Sequence, residues 1–474
     1  MALHMAMDIA RDSRVSLTAQ IQNFIKREIE RGILHPGTRL PSSRRLAHDL
    51  DVSRSVVVEA YGQLVAEGYL EAAQGAGTRV VQHLTTETVV PTLLEEGRVT
   101  GARWDLRPGG GNLPAFPRRE WLGCYERVLK SADASAHAYP PLVGDSGLRL
   151  ELARYLGRVR GVLASPEGIA VVAGFSQTLS LLCGVLRDDG IDAIGVEDPG
   201  HPGQRQFVRE CGLRAVPLPV DEAGLDVTAL AATDLRAVLV TPAHQYPTGV
   251  PLHPDRRAEL VRWAHDTGGL VVEDDYDGGI WYDRGPRPLA LQRLAPEHVL
   301  YAGTASKTVA PGLRLGWVAA PAELLERLLR ERARHHLGTE TLTQLAFAEM
   351  LRGGLLDRHV RRLSSQARAR RHALEEAVRR HLPGADVTGP AAGLHSYVLL
   401  DRATDEAALV AGALRASVAV RGVAAFHARP QRAAPALVIG HAHLPRSGIA
   451  EAFRILGTVR AGAVRRAARP RPLP

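Results

Sequence analysis

Residues 299–317 read VLYAGTASKTVAPGLRLGW. An apolar run ends in a loop that carries Thr304, Ser306 and Lys307, with Arg314 seven residues past the lysine. A strand that delivers an amine, two hydroxyls and a guanidinium to one loop suits a single ligand. The amine condenses with an aldehyde as a Schiff base, while the hydroxyls and guanidinium hold a phosphate dianion. The bland alternative is a surface lysine in a glycine-rich loop. Scarcity weighs against it: the 474 residues hold only Lys26, Lys130 and Lys307, so lysine chemistry has three candidates.

Similar strand ends lie upstream. VVEDDYDGG (271–279) closes an apolar run with Asp274 and Tyr276, which could pair with a ring nitrogen and a phenolate oxygen. VVAGFSQTLSLL (171–182) runs strand, Gly turn, helix, so the free helix N–H groups and the Ser176 hydroxyl form a phosphate cradle. VEDPGHPG (196–203) presents His201, and TPAHQYPTG (241–249) presents His244, Gln245 and Tyr246. No His or Cys cluster of ligand spacing accompanies them, so no metal is expected.

The runs GIAVVAG, AIGVE, AVLVTP, LVVED and VLYAGT alternate with helical stretches such as QTLSLLCGVLRD and HPDRRAELVRWAHDTG. Near-continuous apolar strands between helices predict a parallel sheet covered on both faces, with ligands outside the carboxyl ends of the strands. After Pro321 the pattern turns helical and Arg-rich, and strand-like runs return in HSYVLLD, SVAVRGVAAF and ALVIGHAHL. These predict a smaller C-terminal α+β part over about 325–462 of a domain spanning 104–462. The tail 463–474, AVRRAARPRPLP, reads as basic and disordered.

The N-terminal segment, 15–81, has another pattern. Leu17, Ile21, Phe24, Ile25 and Ile29 fall at helical spacing and stop at Gly32. A short helix follows in SSRRLAHDL with Ser42 or Ser43 as N-cap, then a turn at Asp51-Val52 and a helix capped by Ser53. YLEAAQGAGTRVV reads as a two-stranded wing turning at Gly75-Ala76-Gly77. Three helices and a hairpin make a winged helix-turn-helix. Its second motif helix would place Ser53, Arg54 and Ser55 at base edges of double-stranded DNA. Ser42, Arg44 and Arg45 would lie along phosphates, and Thr78 and Arg79 would reach from the wing. The alternative is a set of solvated arginines on an interaction domain. A linker spans 82–103.

The charge balance of +8 permits a nucleic-acid partner without requiring one. No apolar run approaches 20 residues, so no membrane span is expected. Met1–Arg14 lacks a long apolar core, and Cys124, Cys183 and Cys211 form no framework, which points to the cytoplasm.

The run GILHPGTRLPSSRRLAHDLDVSRSVVVEAYGQLVAEGYLEAAQGAGTRV (32–80) resembles the DNA-reading domain of GntR-type bacterial regulators. From Trp104 onward the chain resembles a fold-type I aminotransferase, the pyridoxal 5'-phosphate (PLP) fold. The two together resemble the MocR subfamily of regulators. That resemblance implies a PLP-binding regulator that senses PLP, an amine or an amino acid; a working aminotransferase with an accessory DNA reader is the alternative. It implies Lys307 as the Schiff-base lysine, Asp274 at the ring nitrogen and Tyr276 at the ring oxygen. Ser176, Thr304, Ser306 and Arg314 would hold the phosphate. Tyr139, in AYPPLVGDSGLR, would reach the phosphate across a homodimer interface. Three positions depart from the family pattern. His201 stands where an aromatic ring usually stacks on the cofactor. Tyr246 replaces the Asn before Pro-Thr-Gly. Val438, in LVIGHAHL, replaces the arginine that grips an amino-acid carboxylate; Arg421, Arg429 and Arg432 on nearby segments are possible substitutes.

Overall fold

The structure is a computed structural model that describes residues 7, 9–13, 15–73, 77–81, 102–109, 111–283, 285–429 and 434–467. It divides into two units, 1–97 and 98–474. The expected linker over 82–101, the turn residues Gly75 and Ala76, and Arg432 lie outside the described residues.

The first unit packs α1 (Leu17–Glu30), α2 (Ser43–Asp49) and α3 (Arg54–Ala66) with a hairpin of β1 (Leu70–Ala73) and β2 (Gly77–Val80). Ile21 and Ile25 of α1, Leu46 of α2, and Val57, Ala60 and Leu64 of α3 share one buried core. Their spacing of three and four residues gives each helix one apolar face. Ser42 caps α2 by accepting from Arg45 N at 3.3 Å. Ser53 occupies the N-cap position of α3 without a capping bond; its hydroxyl pairs with Ser55 Oγ at 2.8 Å instead.

In the second unit β3 (Trp104–Asp105) and α4 (Arg118–Ser131) precede α5 (Ser146–Arg160). Then come β4 (Ile169–Val172), α6 (Phe175–Asp188), β5 (Ala193–Asp198), α7 (Pro202–Glu210), β6 (Arg214–Asp221), β7 (Gly224–Leu225) and α8 (Val227–Ala231). Next are β8 (Ala237–Val240), α9 (Pro254–Thr267), β9 (Leu270–Asp275), β10 (Val299–Thr304) and β11 (Gly316–Ala319). The sheet order is β4-β11-β10-β9-β8-β5-β6-β7. Strands β10, β9, β8, β5 and β6 pair in parallel, whereas β11 runs antiparallel to both β10 and β4. The sheet is therefore mixed. Gly316 to Ala319 follows β10 with no α-helix between them, so it lacks the strand-helix alternation that marked the others, and the return of the chain after the Lys307 loop sets its direction. Strand β6 was also not foreseen, because prolines 217 and 219 interrupt its apolar pattern.

Both faces of the sheet are covered. In β9, Val272 enters one core with Leu179, Leu182 and Leu186 of α6, while Val271 enters another with Leu260 and Trp263 of α9. Helices α10 (Ala322–Ala333), α11 (Thr341–Arg352) and α12 (Leu355–His381) lead to β12 (Asp386–Thr388) and β13 (His395–Leu399). After these come α13 (Glu406–Arg415), β14 (Val418–Ala419), β15 (Arg421–Gly422), β16 (Ala436–Gly440) and α14 (Arg446–Ala467). The smaller sheet is ordered β12-β13-β16-β15. Trp104–Asp105 pairs in parallel with Val418–Ala419, and Leu106 lies in the core of this C-terminal part. Thus the first strand after the linker serves the smaller lobe, not the large sheet. Helix α14 continues to Ala467, past the position 463 where the tail was expected to start, and the rest of that expected tail lies outside the described residues. No described helix is long and apolar enough to cross a membrane.

Candidate functional site

A cavity of about 370 Å³ opens at the carboxyl ends of the parallel strands. Five strands contribute through the segments that follow them: Ser176 after β4, His201 after β5, Tyr246 after β8, Tyr276 after β9, and Ser306 and Lys307 after β10. Asp274, Thr304 and Arg314 complete the set. Nine of the ten residues expected at one site therefore line one cavity. Tyr139 does not; it is 85% exposed.

Arg314 has φ +47°, a left-handed conformation for a residue with a side chain. That turn sends its guanidinium toward Gly174, where an added Cβ would lie 3.4 Å from Nη2. Gly174 itself sits at φ +96° at the start of α6, and Ser176 lies in that helix's first turn. Neither the Arg314 guanidinium nor the Ser176 hydroxyl has a hydrogen-bond partner among the described residues. Thr304 Oγ1 accepts from Ser306 N at 3.1 Å and donates to Ser306 Oγ at 2.9 Å. The result is a cluster of donors at a helix N-terminus, chemistry that suits a phosphate dianion.

Lys307 Nζ donates to Gly109 O at 2.8 Å. Burial lowers its pKa, opposed by the charges of Asp277 and Asp274. Asp274 is buried, and burial pushes its carboxyl up to about 7. Gln204, on the first turn of α7, donates to Asp274 Oδ2 at 2.8 Å and favours the charged form. The neighbouring Asp275 has a different task. It pairs with Arg160 at 2.6 Å and accepts from Tyr301 Oη at 2.5 Å, and these outweigh burial to hold its pKa low.

Three placements differ from expectation. His201 Nδ1 accepts from Gln204 N at 3.2 Å, capping α7, and the ring stacks on Tyr246 with centroids 5.3 Å apart. Surrounding protein and the charges of Lys307 and Arg421 push its pKa down to about 4, although part of the ring meets the open cavity. Tyr276 Oη, expected to point its proton at a ligand, donates to His244 O at 3.0 Å. The tertiary structure also gathers His244, Asp277 and His395, whose ligand atoms lie within 4.8 Å of one another. Spacing along the chain could not reveal that cluster, because its members come from three separate segments. Its donors are engaged already: His244 Nδ1 meets Asp277 Oδ2 at 2.9 Å and His395 Nε2 meets Pro247 O at 3.2 Å.

Several functional neighbours escaped the sequence. Gln204 was visible in principle, three residues after His201 on a helix start. Glu197, buried against Thr241 and Gln245 and pushed up to about 7 by burial, carried no such signal. Val438 is fully buried on β16, and Arg421 is its direct partner on β15. Opposed residues of antiparallel strands share a face. His395 lies on that same face, two positions from Tyr397, the partner of Val438 on β13, and lines the cavity. Arg421 is exposed and has no hydrogen bond or ion pair among the described residues.

On the first unit the DNA-facing candidates all lie at the surface or partly buried. Arg79 Nε pairs with Glu71 Oε1 at 2.6 Å across the wing, and Arg45 lies 3.8 Å from Asp49. Arg44 and Arg54 have no such partner among the described residues.

Residues 118–453 match the family described as aminotransferase class I and II, and residues 17–80 match the bacterial regulatory proteins of the gntR family. The HTH-type pyridoxine biosynthesis transcriptional regulator PdxR of Corynebacterium glutamicum is 36% identical over 402 residues, covering 82% of this chain and 84% of its own. The probable rhizopine catabolism regulatory protein MocR of Rhizobium meliloti is 30% identical, covering 94% of each chain. Among solved structures, the α-aminoadipate aminotransferase LysN of Thermus thermophilus, complexed with N-(5'-phosphopyridoxyl)-L-leucine, is 27% identical with a TM-score of 0.68. It covers 77% of this chain and 94% of its own.

Proposed function

The chain belongs to the MocR subfamily of gntR-type regulators, a DNA reader joined to a class I and II aminotransferase domain, and from that membership we propose that it is a transcriptional regulator whose large domain binds PLP and senses PLP itself, an amine or an amino acid. The observation that carries this is the meeting of Lys307, Asp274 and the donors Ser176, Thr304, Ser306 and Arg314 in one cavity. The donor set fits the group: Arg314 and Ser176 have no hydrogen-bond partners among the described residues, and a buried carboxyl, Asp274, lines the same cavity. PLP supplies an aldehyde that captures a primary amine and a ring that withdraws electrons from it.

The chain's own residues divide the work. Ser176, Thr304, Ser306 and Arg314 hold the phosphate. Asp274, steadied by Gln204, offers a carboxylate to the ring nitrogen and keeps the proton there. Lys307 Nζ, with its pKa lowered by burial, reaches the reactive neutral amine at a lower pH than an exposed lysine. Tyr276 turns its hydroxyl away from His244 O to donate to the ring oxygen. His201 and Tyr246 wall the cavity on one side. Tyr139 reaches the phosphate of a second copy in a homodimer, which accounts for a large aromatic left exposed. Ser53, Arg54 and Ser55 read base edges in double-stranded DNA, in the cytoplasm.

The test is covalent. Protein incubated with PLP and reduced with borohydride should carry one phosphopyridoxyl group per chain on Lys307, located by peptide mass spectrometry. Lys307→Ala should lose the adduct and keep its melting temperature within a few degrees. An adduct on Lys26 or Lys130, or none at all, refutes the cofactor assignment.

A further inference from the structure

A second cavity, of about 450 Å³, opens between α5, the segment after Asp277 and the N-terminal half of α12. Trp281, Arg287, Arg361, Ser364, Ser365 and Arg368 line it. The acidic group in its wall, Asp357, is paired with Arg158 at 2.7 Å. Cationic charge is therefore in excess. Arg368 directs Nε and Nη2 to Tyr282 O, which holds the side chain in place. Arg287 is partly buried: its Nε and Nη2 are enclosed with no hydrogen-bond partner among the described residues, and the negative charge it feels from the protein is that of Asp275. Arg361 and the hydroxyls of Ser364 and Ser365 also lack partners among the described residues. Enclosed guanidinium nitrogens without a hydrogen-bond partner are costly, and native proteins keep few of them.

We propose that this cavity is an anion site for a small organic phosphate, with Arg287, Arg361 and Arg368 as its cationic ligands. Three guanidiniums and two hydroxyls exceed what a carboxylate can accept and match the three outer oxygens of a phosphomonoester. Trp281 offers an apolar wall to the organic part. Arg287 also lines a pocket of about 30 Å³ with Asp275, Tyr276 and Thr304, and the last pair line the Lys307 cavity as well. A phosphate that draws on Arg287 therefore acts one side chain away from the Lys307 cavity, and any coupling between the two ligands is reciprocal. The site is separate from the proposed PLP cradle and does not depend on it.

The experiment is calorimetric titration of the full chain with phenyl phosphate, after PLP has been fixed on Lys307 by borohydride so that the first cradle is filled. One saturable site per chain is expected, weakened at least tenfold by Arg361→Ala and lost in Arg287→Met. Inorganic phosphate and benzoate should bind more weakly than phenyl phosphate. The ligand-free Arg287→Met protein should melt within a few degrees of wild type, because Asp275 keeps its bonds to Arg160 and Tyr301 and the apolar part of the side chain is retained. Lost binding then cannot be ascribed to unfolding. Absence of saturable heat, or equal affinity in wild type and both variants, overturns the proposal. Binding that inorganic phosphate matches in every variant marks an adventitious ion only, and overturns it too. If borohydride fixes nothing on Lys307, the cofactor reading fails by itself; the titration is then run on ligand-free protein carrying Arg314→Leu to disable the other cradle.

Discussion

Asp274 and Asp275 are adjacent carboxylates with opposite electrostatics. Asp275 has Arg160 and stays charged; Asp274 has only an amide donor and a nearby amine, and its pKa rises to about 7. Its ordinary value is near 4. The folded protein therefore holds this proton more tightly than the unfolded chain. Stability from the group is fully present below about pH 4 and is lost as pH rises through 7. Asp274→Asn should thus leave the ligand-free protein as stable at pH 8 as wild type, or raise its melting temperature by about 1–4 °C. Cofactor affinity should fall at least tenfold in the same variant. Melting curves at pH 5 and pH 8 check the first half, and PLP titration the second; a variant less stable than wild type at pH 8 contradicts the account. Arg421 belongs to this scale as well. It shares a sheet face with Val438 and is free to reach an anion. Arg421→Ala should leave PLP loading and melting temperature unchanged but weaken binding of carboxylate-bearing amines about tenfold or more, as loss of a bidentate charged pair does. Unchanged amino-acid binding would remove Arg421 from the effector site.

At the scale of elements, the recognition helix α3 and the wing carry different commitments. Arg79 is tied to Glu71, whereas Arg54 stands free at the start of α3 and Arg44 at the start of α2. Arg54→Ala should cost about 1–3 kcal/mol on a specific operator, with less effect on random DNA. Arg44→Ala should weaken all sequences together and flatten the salt dependence. Gel-shift titrations on operator and random duplex at several salt concentrations separate the two; equal effects on both duplexes for Arg54→Ala exclude base reading by this helix. Periodicity made α1 to α3 and the parallel strands legible, because each buries one face or both. It could not give β11, whose four residues take their direction from a loop, nor β3, which joins a strand over 300 residues away.

For the whole molecule, the question is whether the large domain turns over. Transamination requires an amino acid held with its Cα–H over the cofactor, normally by a guanidinium fork on the carboxylate. Val438 offers neither charge nor donor at the usual position; Arg421 would hold a carboxylate from the neighbouring strand, without the same orientation of the Cα–H, and the loss of that orientation raises the barrier by several kcal/mol. Little or no steady turnover is expected with common α-amino acids and 2-oxo acids. A panel of pairs, followed by visible absorption and pyridoxamine-phosphate formation, decides it; repeated turnover with any ordinary pair promotes the aminotransferase alternative. If the protein instead relays ligand state to DNA, linkage demands reciprocity: an effector that changes operator affinity by a given factor has its own affinity changed equally by operator.

Sequence alone determined the two-part organisation, the strand ends whose residues meet in one cavity, and Lys307 as the candidate amine among three lysines. These are local properties: side-chain period, glycine turns, and the composition of single loops. Tertiary structure decided what depends on contacts between distant segments. It paired Gln204 with Asp274, turned Tyr276 toward His244, set Arg421 opposite Val438, and enclosed two Arg287 nitrogens without a hydrogen-bond partner among the described residues. Desolvation and charge pairing depend on which segments meet in space, and no spacing along the chain encodes that.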